Sequence, residues 1–212
     1  MSAFSNRNSE VIMIAVAQKV QENKVYLSEL DGLIGDGDHG VNMNKGFSVF
    51  EKRMTGANST FTEALNTLGT ILITEIGGSM GPIYGTIFID MADAGEEIEE
   101  IDEAAFGEML KAGYEGLCDI VEAKVGDKTI VDVLEPAVVA YLGAVNEGAE
   151  FPIALLKMKE AAEKGRESTR DLVARFGRSS RLGERSRGVL DAGAVSCCLI
   201  LETMADEILK RV

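Results

Sequence analysis

Residues 26–50 read Tyr-Leu-Ser-Glu-Leu-Asp-Gly-Leu-Ile-Gly-Asp-Gly-Asp-His-Gly-Val-Asn-Met-Asn-Lys-Gly-Phe-Ser-Val-Phe. Before Gly35 the apolar residues recur at helical spacing. After Gly40 a second helix carries Phe47 and Phe50. The stretch is therefore helix, acidic glycine loop, helix. Working outward, the same period recurs along the chain, with almost no alternating runs. Only three prolines occur, Pro82, Pro136 and Pro152. Ala, Glu, Leu, Ile and Met are plentiful, and these are good helix formers. The expectation is an all-α fold of eight or nine helices joined by short loops, an antiparallel bundle or barrel. Residues 1–212 are read as one domain, without linker or internal repeat.

The expected helices run near Ser9–Glu22 and Lys24–Ile34, then from Val41 through Phe50. Thr60 with Glu63 has the form of a capping box opening the next. Gly77-Gly-Ser-Met-Gly81 breaks it, and Pro82 suits the first turn of another. Asp102 is read as the cap of a helix reaching Val121, and Gly126-Asp-Lys-Thr129 ends that run. Helices near Val131–Val145, Pro152–Val173 and Ala194–Lys210 complete the chain.

The loop itself carries chemistry. No basic residue lies between Lys24 and Lys45, while Glu29, Asp31, Asp36 and Asp38 do. Several carboxylates in one glycine-rich bend repel one another unless a cation neutralises them. Hard oxygen donors favour magnesium or calcium. Two motif matches mislead. Gly35-x-Gly37-x-x-Gly40 fits the dinucleotide fingerprint, but a helix precedes it where a strand is required. An EF-hand counted from Asp36 would place Phe47 where a bidentate Glu belongs. A solvated acidic turn is the competing reading. His39, the only histidine, is either structural or a donor to a phosphate.

Two further stretches stand out. Ile76-Gly-Gly-Ser-Met-Gly-Pro82 joins two helices, and free N–H groups at a helix start suit an anion. A plain interhelical turn has the same composition. Residues 175–187 hold five arginines and one glutamate, in a chain of net charge −14. Arginine forks suit phosphate oxygens or the carboxylates of a partner. A solvated loop is the alternative.

The acidic balance argues against nucleic acid and against anionic membranes as partners. No stretch has the length of a membrane span or the apolar start of a signal peptide. Cys118, Cys197 and Cys198 are odd in number, and two sit in an apolar run, which suits reduced thiols and a cytoplasmic setting.

Taken together, these blocks resemble the nucleotide-binding L subunits of dihydroxyacetone kinases. The resemblance rests on Leu30-Asp31, Gly35-Asp-Gly-Asp-His-Gly40, Asn42-Met-Asn44, Gly77-Gly78, Gly81-Pro82, Gly85-Thr86, Gly126-Asp-Lys-Thr129, Gly183-Glu-Arg-Ser186 and Asp191-x-Gly193-Ala194. It implies an eight-helix barrel with ADP or ATP at one rim, held through two magnesium ions. Asp31, Asp36 and Asp38 correspond to the metal ligands. His39, Gly40, Val41 and Asn42 correspond to nucleotide contacts after them, and Gly78, Ser79 and Met80 to the phosphate turn. Ile130 falls near the adenine. Arg178 with Asp191, Ala192 and Gly193 forms the closing side, and Arg178 is the catalytic candidate. Two positions depart from the family: Met80 stands where a small hydroxyl residue is common, and Ala192 replaces a proline.

The resemblance further implies a phosphotransferase subunit, active only with a separate K subunit that holds dihydroxyacetone or another short ketose. The phosphoryl donor is ATP, or a phosphotransferase-system protein that recharges bound ADP. A homodimer is left open. The alternative is a nucleotide-loaded signalling module that acts on a transcription regulator.

Overall fold

The computed structural model describes residues 2–212. Nine α-helices account for most of them: α1 (Glu10–Glu22), α2 (Lys24–Ile34), α3 (His39–Met54), α4 (Phe61–Glu75), α5 (Met80–Gly95), α6 (Glu103–Ile120), α7 (Val131–Asn146), α8 (Phe151–Ser168) and α9 (Ala192–Leu209). Two short strands, β1 (Ala3–Ser5) and β2 (Glu100–Asp102), pair antiparallel with Phe4 opposite Ile101.

Local signals set several boundaries. Thr60 and Glu63 form a reciprocal capping box: Glu63 N–H donates to Thr60 Oγ1 at 3.0 Å, and Thr60 N–H to Glu63 Oε2 at 2.9 Å. Asp102 accepts from Ala105 N–H at 2.8 Å and opens α6. Pro152 sits in the first turn of α8, where its missing N–H costs nothing.

Eight helices close a ring. In spatial order α1, α3, α4, α5, α6, α7, α8 and α9 pack each on the next, and α9 returns to α1. Chain direction alternates around this ring, so every neighbour is antiparallel. The short α2 lies outside it, against α3 and α9. The expected helical barrel is what forms. Its interior is a continuous apolar core reaching from Ile12 and Phe47 to Met204 and Ile208.

The two ends differ. At one end Phe4, carried by β1, meets Phe61 edge-on at 5.5 Å and lies 6.4 Å from Phe151. Phe106 and Tyr141 extend this aromatic plug, their centroids 5.5 Å apart. Buried Asn6 ties the plug to the start of α4 by donating to Thr62 Oγ1 at 3.1 Å and accepting from Thr62 N–H at 3.1 Å. The opposite end collects the end of α2, the starts of α3, α5, α7 and α9, and the segment 169–191.

The structure corrects some expected boundaries. α3 begins at His39 rather than Val41, so His39 is part of a helix. α8 stops at Ser168, five residues short of Val173. Thr169 ends it by turning its hydroxyl back to Arg166 O at 2.7 Å. Val121 lies just beyond α6 in extended backbone. The small β-ladder was not anticipated, because three residues are too few to show an alternating pattern.

Candidate functional site

At the open end the acidic loop turns tightly between α2 and α3. Asp31, Asp36 and Asp38 each bring one carboxylate oxygen within 4.8 Å of the others. Asp31 Oδ2 also accepts from His39 N–H at 3.3 Å, which ties the last turn of α2 to the first of α3. Asp38 occupies the N-cap position of α3 but makes no side-chain cap bond, so its carboxylate stays available. Burial raises the Asp38 pKa, and the charges of Asp36 and Asp31 raise it further, against a hydrogen bond from Asn42 and the charge of Arg178. Three carboxylate oxygens gathered this closely are a set that fits a hard divalent cation. Arg178 reaches in from the arginine-rich segment, its Nη1 3.0 Å from Asp36 Oδ2.

Across the cavity, residues 76–79 link α4 to α5. Gly78 has a φ of +80°, in the left-handed region that a side chain would strain. A Cβ at Gly77 or Gly78 would meet nothing within 4 Å, so this turn faces open space. Ser79 precedes α5 without capping it by its side chain, which leaves the first N–H groups of the helix without a side-chain partner at the cavity edge.

A third wall is organised around two buried charges. Asp132 accepts from Gly126 N–H at 2.6 Å and from Thr129 N–H at 2.7 Å, and so shapes the Gly126–Thr129 turn. In that turn Lys128 adopts a φ of +62°, and its side chain is only 1% exposed. Its ammonium donates to the carbonyls of Thr169 and Val189, stitching the end of α8 to the approach to α9. Burial lowers the Lys128 pKa, opposed by the charges of Asp191 and Asp132. Asp191 caps α9 by accepting from Ala194 N–H at 2.8 Å. Burial pushes Asp191 up to about 6, against that hydrogen bond and Lys128.

The arginine-rich segment is ordered rather than loose. Residues 179–186 form 3₁₀ turns, broken at Gly183. Ser186 is fully buried; its hydroxyl accepts from Ala174 N–H at 2.9 Å and donates to Gly183 O at 2.7 Å. Arg175 pairs with Asp127 at 3.4 Å, which holds the segment to the Gly126–Thr129 turn.

These walls enclose a cavity of about 940 Å³. It brings together Asp31, Asp36, Asp38, His39, Asn42, Gly78, Ser79, Met80, Ile130, Arg178, Asp191, Ala192 and Gly193, all anticipated from sequence. Gly40 and Val41 are not among its lining residues. Gly40 instead lets α2 approach α3, since a Cβ there would lie 2.1 Å from Lys24 O. Val41 is half exposed elsewhere. Sequence reasoning missed Lys128 and Asp132 as organisers, and Tyr84 and Ser196. Ser196 Oγ lies 2.8 Å from His39 Nε2 and 2.7 Å from Tyr84 Oη. Burial lowers the His39 pKa, and the charge of Asp31 works against it. Tyr84 belongs to no motif in the sequence, and Ser196 sits unmarked inside the apolar run of α9.

Comparison with known proteins adds to this geometry. The DAK2 domain family matches residues 33–206. The chain is 38% identical over 188 residues to the "PEP-dependent dihydroxyacetone kinase 1, ADP-binding subunit DhaL" of Listeria innocua, covering 88% of this chain and 89% of that one. It is 38% identical over 181 residues to the "PEP-dependent dihydroxyacetone kinase, ADP-binding subunit DhaL" of Escherichia coli, covering 85% and 86%. Among solved structures it superposes on the dihydroxyacetone kinase of C. freundii in complex with AMP-PNP and Mg2+. There the TM-score is 0.66 at 21% identity, over 93% of this chain and 33% of the other, a likeness of fold.

Proposed function

The chain belongs to the DAK2 domain family, and on that premise we propose that it is the nucleotide-binding subunit of a dihydroxyacetone kinase. All 212 residues are assigned to one nucleotide-binding domain, which works with a separate ketose-holding K subunit. The observation that carries the reading is a single cavity lined both by three clustered aspartates and by a glycine turn at a helix start, with Arg178 paired to Asp36.

The assignment of roles follows from chemistry. Asp31, Asp36 and Asp38 are the residues that would hold magnesium, and two ions are inferred from the family resemblance. Bound there, magnesium neutralises phosphate charge and favours transfer of the terminal phosphoryl group. Gly78, Ser79 and the first N–H groups of α5 offer donors to phosphate oxygens. Ile130 and Ala192, both nearly buried, offer an apolar wall for a base. Arg178 is exposed enough to turn toward a transferring phosphoryl group, where a guanidinium stabilises developing charge. Met80 begins α5 and lines the cavity without a hydroxyl to offer, so the phosphate donors at this turn are the backbone and Ser79.

Nothing in this cavity provides an anchor for a small ketone. A partner must orient the acceptor hydroxyl, and the cationic segment 175–187 at the cavity mouth is the surface proposed to meet it. The donor is read as a phosphotransferase-system protein recharging bound ADP, by analogy with the PEP-dependent relatives. Among the described residues no helix is long and apolar enough to cross a membrane.

The test is product formation from dihydroxyacetone by this chain alone, by a cognate K subunit alone, and by both together. Each is run with ATP or with a phosphoenolpyruvate-driven donor system. Activity only in the combined arms is expected. Full activity from this chain alone would refute the two-subunit reading, and none in any arm would favour the regulator-binding alternative. Mass spectrometry of gently purified protein reads retained ADP.

A further inference from the structure

The segment between α8 and α9 leaves the barrel and returns to nearly the same point. Gly188 N–H donates to Arg170 O at 2.7 Å, and Asp191 N–H to Thr169 Oγ1 at 3.1 Å. Residues 170–188 therefore form a loop closed at its neck. The loop carries all five arginines of the cationic stretch, Arg178 among them. Lys128 stands at the neck. Its side chain is buried, and its ammonium donates to Thr169 O on the outgoing side and to Val189 O on the returning side. One buried cation thus spans both ends of the loop.

The turn that carries Lys128 is itself fixed. Asp132 accepts two of its N–H groups, and Lys128 holds the uncommon left-handed backbone there. Many side chains could fill the space; what a lysine adds is a charged donor that serves two carbonyls at once. The preceding residue grips the same loop farther out. Asp127 O accepts from Arg175 N–H at 3.1 Å, and the Asp127 carboxylate lies 3.4 Å from Arg175 Nε. Arg175 stands three positions before Arg178. A continuous line of contacts therefore runs from the Gly126–Thr129 turn through the loop to the guanidinium beside Asp36. That last ion pair is mostly exposed and weak, so the place of Arg178 is set by where its loop is held.

We propose that Lys128 is a positioning residue: it clasps the neck of loop 170–188 and so holds Arg178 at the acidic trio. Its effect on turnover rests on the kinase reading given above. Without the clasp the loop keeps its inner contacts, Ser186 with Ala174 and Gly183, but moves on its ends as a unit. Arg178 then samples many positions. A guanidinium that is in place only part of the time stabilises a transferring phosphoryl group only for that part.

The arginines make the loop its own reporter, because trypsin cuts after arginine and requires a locally opened chain. Lys128→Met keeps the length of the side chain and removes its donors. Folded wild type and variant are treated with trypsin, and the first cleavage sites are read by mass spectrometry. Cleavage between Arg175 and Gly188 is expected to be roughly tenfold to a hundredfold faster in the variant, the loss of one charge-assisted hydrogen bond, with cleavage elsewhere unchanged. Unchanged loop cleavage in a folded variant overturns the proposal. Turnover with a cognate K subunit and donor is then measured for Lys128→Met, for Arg178→Ala and for the two combined. Lys128→Met is expected to cost roughly tenfold alone and nothing further beside Arg178→Ala. Losses that multiply would show that Lys128 does not act through Arg178, and would overturn the positioning role. A wild-type chain inactive in every arm removes the kinase reading instead, and the trypsin result then decides the clasp. If Lys128→Met does not fold, hydrogen exchange of the wild type decides it. The neck amides of Gly188 and Asp191 are expected to outlast those of Arg181 and Arg187, which are bonded only within the loop, and the reverse order overturns the clasp.

Discussion

Arg178 Nη1 lies 3.0 Å from Asp36 Oδ2, so a guanidinium from the arginine-rich segment already sits against the acidic trio. In a site that brings three carboxylates together, this side chain is the local counter-charge. Its partner is partly exposed and Arg178 itself is mostly exposed, so the pair adds little to folding, under about 1 kcal/mol. Arg178→Ala should therefore leave the melting temperature nearly unchanged. With a K subunit and donor present, turnover should fall by roughly a hundredfold to a thousandfold, the usual loss on removing a transition-state donor. Parallel melting curves and single-turnover rates check both halves.

Asp38→Asn should separate folding from binding. The raised pKa of Asp38 says that its charge is held against burial and against Asp36 and Asp31, so neutralising it relieves the loop. The variant is expected to melt at the same temperature as wild type or slightly above. Metal-dependent ADP binding should be lost. Wild-type protein at a thousandfold excess of Mg-ADP over its dissociation constant should gain roughly 4 kcal/mol, and ADP with chelator should add none. Thermal shifts of both proteins with Mg-ADP, and with ADP plus EDTA, measure this.

Asp191 gives a pH dependence of known sign. Its pKa is about 6 in the fold against an ordinary 3.8. A carboxyl raised on folding binds more protons folded than unfolded, so the stability it confers is full below about pH 4 and is lost as pH rises through about 6. Asp191→Asn keeps an N-cap acceptor but cannot titrate. The melting temperature of the variant minus that of wild type should therefore rise between about pH 4 and 6 and stay level above it. A difference that is flat across this window would contradict the assignment.

Gly40→Ala should act on the fold, not on the cavity. A Cβ at position 40 would fall 2.1 Å from Lys24 O and 2.7 Å from Ser28 N, both backbone atoms that cannot step aside. Forced separation of α2 from α3 should cost roughly 1–3 kcal/mol. Urea unfolding should show a lower midpoint at unchanged slope, whereas Val41→Ala at its half-exposed site should be nearly neutral.

The helices were legible because their signals are local. The Thr60–Glu63 box, the Asp102 cap and Pro152 each operate within one turn, and each forms as read. The aspartate trio was legible because acids without a neighbouring base are conspicuous in a chain. The rest depends on long-range pairing. Lys128 is read from sequence as part of a turn, and only the fold brings Thr169 and Val189 to its ammonium. Ser196 lies in an apolar run, and its partner His39 is 157 positions away. Gly40 has the same composition signature as the loop glycines beside it, yet its demand comes from the backbone of α2.

The ring closes between α1 and α9, the first and last helices of the barrel in chain order. During synthesis the chain therefore emerges with seven helices able to stack in sequence while one side stays open. The helix α1, whose Met13, Val16, Ala17 and Val20 are fully buried in the finished ring, lacks its neighbour α9 until residues 192–209 leave the ribosome. The open seam is an exposed apolar stripe for as long as translation of the second half lasts, and such stripes recruit holdase chaperones. Ribosome-bound chains stalled before position 192 should accordingly carry a chaperone that chains released at full length have shed.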